Sequence, residues 1–409
     1  MKKVFLTASM LAMLLYNLKA QDTSIDSSNY KSRKLKVEEI DFISSFYHQE
    51  GNNSAVTGGI GSEKLTDAAI NFDLKLSGIS KSGNIHSLNF ELGVDAYTSA
   101  SSDKIDPNTV SSASSRDLRI YPSVNYNFKN TLQNYSLGGG ISFSKEYDYV
   151  SRGGFLSFSK ASKNNNTEIA VKASAFLDTW TVILPKELRP YPYNIPSAGS
   201  SGRNSKGPTT TQPRNSYNLD LAFSQVINRN LQMALILDLG YQDGHLETSF
   251  QRVYFKDGSV KSEILPSTKF KAPVGLRANY FWGDNIVIRT FYRYYADSWN
   301  IQAHTISVEP TYKLTPFTSF GLLYRYNNQI GTNYFKPINQ HDLADTYYTS
   351  DYDLSSLSSN MIGANLRIMD ANTGLLGISK LNTFELRYAH YIRSNGLVSN
   401  ILTLLLKFK

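Results

Sequence analysis

Ionisable side chains recur at alternate positions in several stretches of this chain, and their signs are segregated along it. Asp73, Glu91, Asp95, Asp178, Asp220 and Asp238 come early, whereas Arg277, Arg289, Arg293, Arg325, Arg367 and Arg387 come late. If each set lines one wall of a closed sheet, an acidic wall faces an arginine wall across a lumen. Such a transverse field orients water and polar solutes in a pore. The alternative is that the two sets pair and fill the interior as a salt-bridged plug.

Other constellations are weaker. The six histidines, His48, His86, His245, His304, His341 and His390, lack the i, i+4 or short-loop spacing of a dedicated metal site. His48 and His390 fall near the same ends of the first and the second-to-last expected strands, so they could approach each other across a seam. Asp342, Asp345, Asp351 and Asp353 crowd one segment, which suits calcium, but the glycine and spacing of an EF-hand are missing. Gly58-Gly59-Ile60-Gly61 lacks the Lys-Ser/Thr of a phosphate loop and fits loop flexibility or a close backbone approach over a pore mouth. Ser54, His48 and Asp67 share a region, yet no G-x-S-x-G elbow accompanies them. A rim hydrolase is therefore the least favoured function, and the chain is expected to be no enzyme and to need no cofactor or metal.

These side chains need elements to hold them, and the elements show as period-two alternation. Ile70, Phe72, Leu74 and Leu76 alternate with Asn71, Asp73, Lys75 and Ser77. Leu88, Phe90, Leu92 and Val94 alternate with Asn89, Glu91, Gly93 and Asp95, and Leu231 to Leu239 repeats the pattern opposite Gln232 and Asp238. Each run is roughly ten to fourteen residues, longer than soluble strands and long enough for a tilted membrane strand. Short polar turns at 129–134, 163–166, 228–230, 283–284 and 315–316 separate runs from longer segments at 48–67, 99–115, 179–215, 244–268 and 329–356.

The pattern predicts an all-β fold: a transmembrane antiparallel up-and-down β-barrel of about 16 strands, with long extracellular loops and short periplasmic turns. Strands are expected near 34–48, 67–80, 84–98, 116–128, 134–148, 152–161, 166–178, 216–228, 230–243, 268–281, 285–297, 300–314, 316–329, 358–369, 381–393 and 397–409.

Lys2 and Lys3, an apolar run from Val4 to Leu18 and small residues near Ala20 have the order of a secretory signal peptide, expected over 1–20. A short periplasmic segment is expected over 21–33 and the barrel over 34–409. There is no cysteine for a lipid anchor or a disulfide. The abundance of Tyr (27) and Phe (21) suits interfacial girdles. The net charge of +8 includes Lys2, Lys3 and Lys19 of the signal; the remaining excess is too mild and dispersed for nucleic acid.

Several stretches carry a resemblance beyond this pattern. They are Tyr47-His48-Gln49-Glu50-Gly51-Asn52-Asn53-Ser54-Ala55-Val56-Thr57-Gly58-Gly59-Ile60-Gly61, Tyr97-Thr98-Ser99-Ala100-Ser101-Ser102-Asp103, Pro213-Arg214-Asn215-Ser216-Tyr217 and Tyr347-Tyr348-Thr349-Ser350-Asp351-Tyr352-Asp353. Together they resemble the family catalogued as domain of unknown function 3570, over nearly the whole mature chain. The resemblance implies an outer-membrane barrel of unassigned role in a Gram-negative envelope. It supplies no catalytic residues, and it hints at a redox-linked envelope system.

The expected function is a channel or uptake barrel for polar solutes; the alternative is a non-conducting scaffold or partner subunit of an envelope complex. The expected partners are outer-membrane lipid, envelope proteins and, through the final strand ending at Phe408 and Lys409, the barrel-assembly machinery. The protein is expected in the outer-membrane fraction, migrating faster unheated than boiled on gels. Recovery from the soluble periplasm would end the barrel reading.

Overall fold

Alternating apolar and polar residues favour strands with two unlike faces, one apolar and one polar. Here one face is apolar and points outward. The computed structural model describes residues 32–98, 116–188, 210–370 and 374–409. The expected signal peptide and nearly all of the 21–33 segment lie outside them. Seventeen hydrogen-bonded segments form one sheet. Two of them, Thr268–Lys271 and Val274–Trp282, are one strand interrupted at Ala272 and Pro273, so the wall has sixteen staves.

In chain order these are β1 (Arg33–Glu50), β2 (Leu65–Ile79), β3 (Ile85–Thr98), β4 (Arg116–Asn130), β5 (Tyr135–Lys145), β6 (Tyr149–Ala161), β7 (Thr167–Val182) and β8 (Thr210–Asn228). There follow β9 (Leu231–Gly244), β10 (the interrupted strand), β11 (Ile286–Ala296), β12 (Gln302–Lys313), β13 (Thr318–Ile330), β14 (Leu357–Met369), β15 (Leu381–Arg393) and β16 (Val398–Phe408).

Each stave pairs antiparallel with the next, and β1 pairs with β16 from Ile40↔Phe408 to Glu50↔Val398. The sheet is thereby a closed up-and-down barrel with no free edge. The break in β10 has a local cause: Pro273 has no N–H to give the ladder. Its carbonyl still accepts from the Asp238 N–H at 3.1 Å, and Lys271↔Gly240 and Val274↔Leu237 keep one register across the gap.

Both described ends of the wall, Arg33 and Phe408, sit on the same rim, called the lower rim here, with the short turns. Several of these turns need a left-handed residue, supplied by Gly83, Asn134, Asn165 and Gly283. The loop asymmetry is less regular than the alternation predicts. Residues 146–148, 297–301 and 394–397 are short connections on the upper rim, and 370–380 is the longest on the lower rim. The observed β8 starts at Thr210 rather than Ser216, because Thr179↔Pro213 and Val182↔Thr210 extend its ladder with β7 beyond the apolar run.

The outward face is apolar and unpacked: Leu156 is 74% exposed, Ile362 64% and Leu235 51%. In water this would be untenable; it is the surface a barrel presents to acyl chains. Exposed aromatics band it at both ends, with Trp282, Tyr312 and Phe317 low and Tyr217, Tyr241, Tyr292, Tyr324 and Tyr388 high. Leu235 lies on this face between Phe223 and Leu276, whereas Asp238 lies on the opposite face beside Asp220. Leu235→Arg is expected to cost roughly 2–4 kcal/mol of stability in bilayers. Asp238→Asn should cost far less, since it removes one of two adjacent like charges. Equal losses in urea titrations of vesicle-inserted protein would show that the faces are reversed.

Candidate functional site

The face opposite the apolar belt is polar, and strand order separates the six acids from the six arginines, although Lys75, Arg119, Lys172 and Arg214 stand among the acids and face Glu39, Asp95, Asp220 and Asp178 in register. Asp73 lies on β2, Glu91 and Asp95 on β3, Asp178 on β7, Asp220 on β8 and Asp238 on β9. Arg277 is on β10, Arg289 and Arg293 on β11, Arg325 on β13, Arg367 on β14 and Arg387 on β15. Closure therefore puts the two sets on opposite halves of the wall. Within the acidic half, cross-strand register brings Asp73 against Glu91 and Asp220 against Asp238. Neutral donors hold several of these carboxylates. Glu91 accepts from Asn89 at 2.8 Å and Ser123 at 2.9 Å, Asp95 accepts from the Tyr121 hydroxyl at 2.8 Å, and Asp178 accepts from Tyr149.

Alternation alone missed two groups. Glu39 and Asp41 on β1 extend the acidic half and are bridged by Lys407 Nζ at 2.5 and 3.2 Å. Irregular register between Val37 and Glu39 switches the parity of β1, and this blurs its pattern. Glu309 and Glu385 stand within the arginine half. Glu309 lies 3.9 Å from Arg289, and Glu385 lies between Arg387 and Arg367, the latter at 3.8 Å. The arginine wall is thus partly neutralised from within. Arg277 and Arg293 instead lie over the rings of Phe291 and Tyr295. Among the described residues, no ion pair joins an acid of β2–β9 to an arginine of β10–β15.

Above the lumen, three upper-rim loops, 51–64, 245–267 and 331–356, fold into one cap. Val253, Phe255 and Tyr348 form one buried cluster, and Leu246, Leu265 and Trp299 form another. Ile264 and Tyr348 exchange backbone hydrogen bonds at 3.2 and 2.8 Å. Arg252 donates to the Val56 carbonyl at 2.8 Å and pairs with Glu187. Gly58 and Gly59 have φ of +81° and +83°, and a Cβ there would strike Tyr254 and the Ser350 carbonyl. The glycine run is packing against the cap.

The weaker constellations come apart in the fold. His48 and His390 lie on either side of Asn400 across β16, separated by a strand. His48 bonds Thr66 and Glu50 on the outer face, whereas Asp67 lies on the inner face and the Ser54 hydroxyl has no partner. That trio does not assemble. Asp342 and Asp345 are held by Lys256 and Lys336, with His341 beside Asp345, while Asp353 pairs with Arg393. The four aspartates are therefore split into separate groups.

A cavity of about 580 Å³ lies between the cap and the upper ends of β1–β8. Gln49, Leu65, Tyr97, Asp117, Tyr149, Trp180 and Arg214 supply its wall, and Ser54 to Val56, Glu63, Phe250, Gln251, Asp351 and Asp353 its cap side. Burial, then the charge of Asp353, pushes Glu63 up to about 7. The same causes push Asp351 up to about 6. Behind the cavity, the fully buried Glu263 is pushed up to about 8, first by burial and then by Asp351. It accepts from the Thr248 N–H at 2.8 Å and contacts the Thr349 hydroxyl.

In comparisons with known proteins, the family model described as "Protein of unknown function (DUF3570)" matches residues 4–394. No curated protein matches. Similar solved structures include OccK1 (OpdK) of Pseudomonas aeruginosa, at 8% identity and a TM-score of 0.41, covering 92% of this chain and 98% of that one. OccD3 (OpdP) of the same organism has 9% identity and a TM-score of 0.43, over 93% and 92%. A BenF-like porin from Pseudomonas fluorescens Pf-5 has 9% identity and a TM-score of 0.42, over 93% and 99%. At these identities and TM-scores the likeness carries no argument about the role of this chain.

A carboxyl whose pKa is raised by folding stabilises the folded form fully below its unfolded value and progressively less as pH climbs to the folded one. For Glu263 that window runs from 4.5 to about 8, and Glu63 and Asp351 act in the same direction. The cap should therefore loosen between pH 5.5 and 8.5. Protection of the Ile264 and Tyr348 amides, corrected for intrinsic exchange, should fall by about tenfold or more, a difference of about one pKa unit in linkage. Glu263→Gln, which keeps the neutral hydrogen bonds, should remove most of that fall; an unchanged slope would show that Glu263 does not govern the cap.

Proposed function

The chain belongs to the DUF3570 family, and we propose that it is an outer-membrane barrel that passes or takes up polar solutes. One observation carries this reading. A closed wall with an apolar outer belt encloses a polar, charged inner face, on which the acids of β2–β9 and the arginines of β10–β15 do not pair with one another. In this reading the lower rim faces the periplasm and the capped rim faces outward, as short turns and long loops are arranged in bacterial barrels. Asp73, Glu91, Asp95, Asp178, Asp220 and Asp238 line one side of the lumen, and the six arginines line the other.

The interlocked cap favours a second reading, a closed barrel that serves as a scaffold or partner subunit of an envelope complex. Loops 245–267 and 331–356 share a buried core and backbone pairing, a degree of order that a permanently open mouth does not need.

Conductance in planar bilayers separates the two. The channel reading expects steps of stable size with modest anion preference. That preference should shrink in 1 M salt, where the screening length is about 3 Å. Replacing Arg289 and Arg293 with Gln, which leaves Glu309 uncompensated, should move the reversal potential toward cation preference without loss of heat-modifiability. A folded double variant with unchanged selectivity would remove these arginines from the ion path. A silent barrel that co-purifies with an envelope protein would favour the scaffold.

A further inference from the structure

The cavity beneath the cap has a chemistry of its own, opposite in sign to that of the arginine half. Six carboxylate residues line it, Glu63, Asp117, Glu146, Asp148, Asp351 and Asp353, against the single cation Arg214. Two have partners outside the lining: Arg119 lies 3.4 Å from Glu146, and Arg393 pairs with Asp353. Asp117 is satisfied by neutral donors, the Leu118 N–H at 2.7 Å and the Tyr147 N–H at 3.3 Å, so its charge is not cancelled. Part of that surplus is lost to the protons that Glu63 and Asp351 hold into the neutral range, and the remainder faces a volume in which a small organic molecule fits.

Two further atoms point to a ligand. Ser54 lines the cavity at 1% exposure, and its hydroxyl has no hydrogen-bond partner. Gln251 also lines it; its amide nitrogen donates to Asp351 Oδ2 at 3.2 Å, which directs the amide oxygen elsewhere, and that oxygen is buried and unpartnered. A buried acceptor without a donor costs stability until something supplies one. Opposite them, Tyr149 and Trp180 stand edge to face with centroids 5.6 Å apart, and Arg214 lies over the Trp180 ring at 5.0 Å. That indole already receives a cation on its face. Phe250 and the exposed Tyr147 add further ring surface. Among the described residues no three carboxylate or histidine groups converge as metal ligands. The negative charge is spread around the volume rather than focused on a point.

We propose that this cavity binds a small organic cation: a donor-rich ammonium group carried on a flat or apolar body. The ammonium is drawn by the carboxylates and hydrogen-bonds the Gln251 amide oxygen and the Ser54 hydroxyl, while the body packs on Tyr149, Trp180 and Phe250. This names a solute class for the transport reading and rests on it only in calling the ligand a solute. Binding itself requires no conduction.

The test is calorimetric titration of the full-length barrel in detergent with three probes of one shape: 2-phenylethylamine, 2-phenylethanol and 3-phenylpropanoate. The amine should bind at least about tenfold more tightly than the alcohol, and the carboxylate should not bind measurably. Trp180→Leu and the pair Asp117→Asn with Asp148→Asn, each checked for heat-modifiability, should weaken the amine about tenfold or more, whereas Arg325→Gln should not. The wild-type probe series stands even if a variant misfolds. Equal binding of amine and alcohol, tighter binding of the carboxylate, or folded variants with wild-type affinity would overturn the proposal. A barrel that is silent in bilayers yet binds the amine selectively would refute the channel and leave this site standing. A conducting barrel blind to all three probes would do the reverse.

Discussion

A strand edge inside hydrocarbon leaves a column of N–H and C=O groups with neither water nor protein to bond, and each such group costs several kcal/mol. The pairing of β1 with β16 removes that edge, and the rest of the molecule depends on it. Closure requires an even number of staves for both described ends to share a rim, and it makes every stave central. The proline in β10 shows how strict the condition is. Where Pro273 cannot donate, the ladder is interrupted for two residues and resumes in the same register, with the Asp238 N–H still satisfied.

Once the wall is closed, the pleat settles where side chains go. Alternate residues meet lipid, which explains an exterior of Leu, Ile, Phe and Tyr that would aggregate in water. The other half must be accommodated inside, away from bulk solvent but not in a dry core. Acids there are held by hydroxyls and amides from neighbouring strands, as Tyr121 holds Asp95. Arginines are held by aromatic faces and by two glutamates. The ion pairs of the inner wall form within a stave or between adjacent staves.

Among the described residues the cap folds as a soluble protein does, with buried clusters of Val, Phe, Tyr, Leu and Trp drawn from loops 245–267 and 331–356 and from the 297–301 connection. Its carboxylates show what that burial costs. Glu263, Glu63 and Asp351 sit where charge is poorly solvated and crowd one another, so they hold protons into the neutral range. This local electrostatic tension lies beside a cavity lined by further acids. The upper rim is therefore the least membrane-like described part of the protein, and its state depends on pH.

Much of the wall was legible in the residues alone. Period-two runs such as Leu231 to Leu239 encode the face toward lipid, because the pleat repeats every two residues whatever the partner. The turns between them locate the staves to within a few positions, and the charges of the inner face follow from the same parity. Parity failed at β1, where an irregular register hid Glu39 and Asp41, and it was silent on Glu309 and Glu385, which lie inside an otherwise basic stretch. Cap and cavity left no such periodic trace. The Gly58 to Gly61 run, Ser54, Gln251 and Asp351 come from segments far apart in the chain, and nothing in any one of them says that they meet. The sequence by itself determined the strands and their faces, since these depend on local alternation. Only the tertiary structure decided which charges pair, how the loops interlock and where the cavity lies, because those depend on which staves closure brings together.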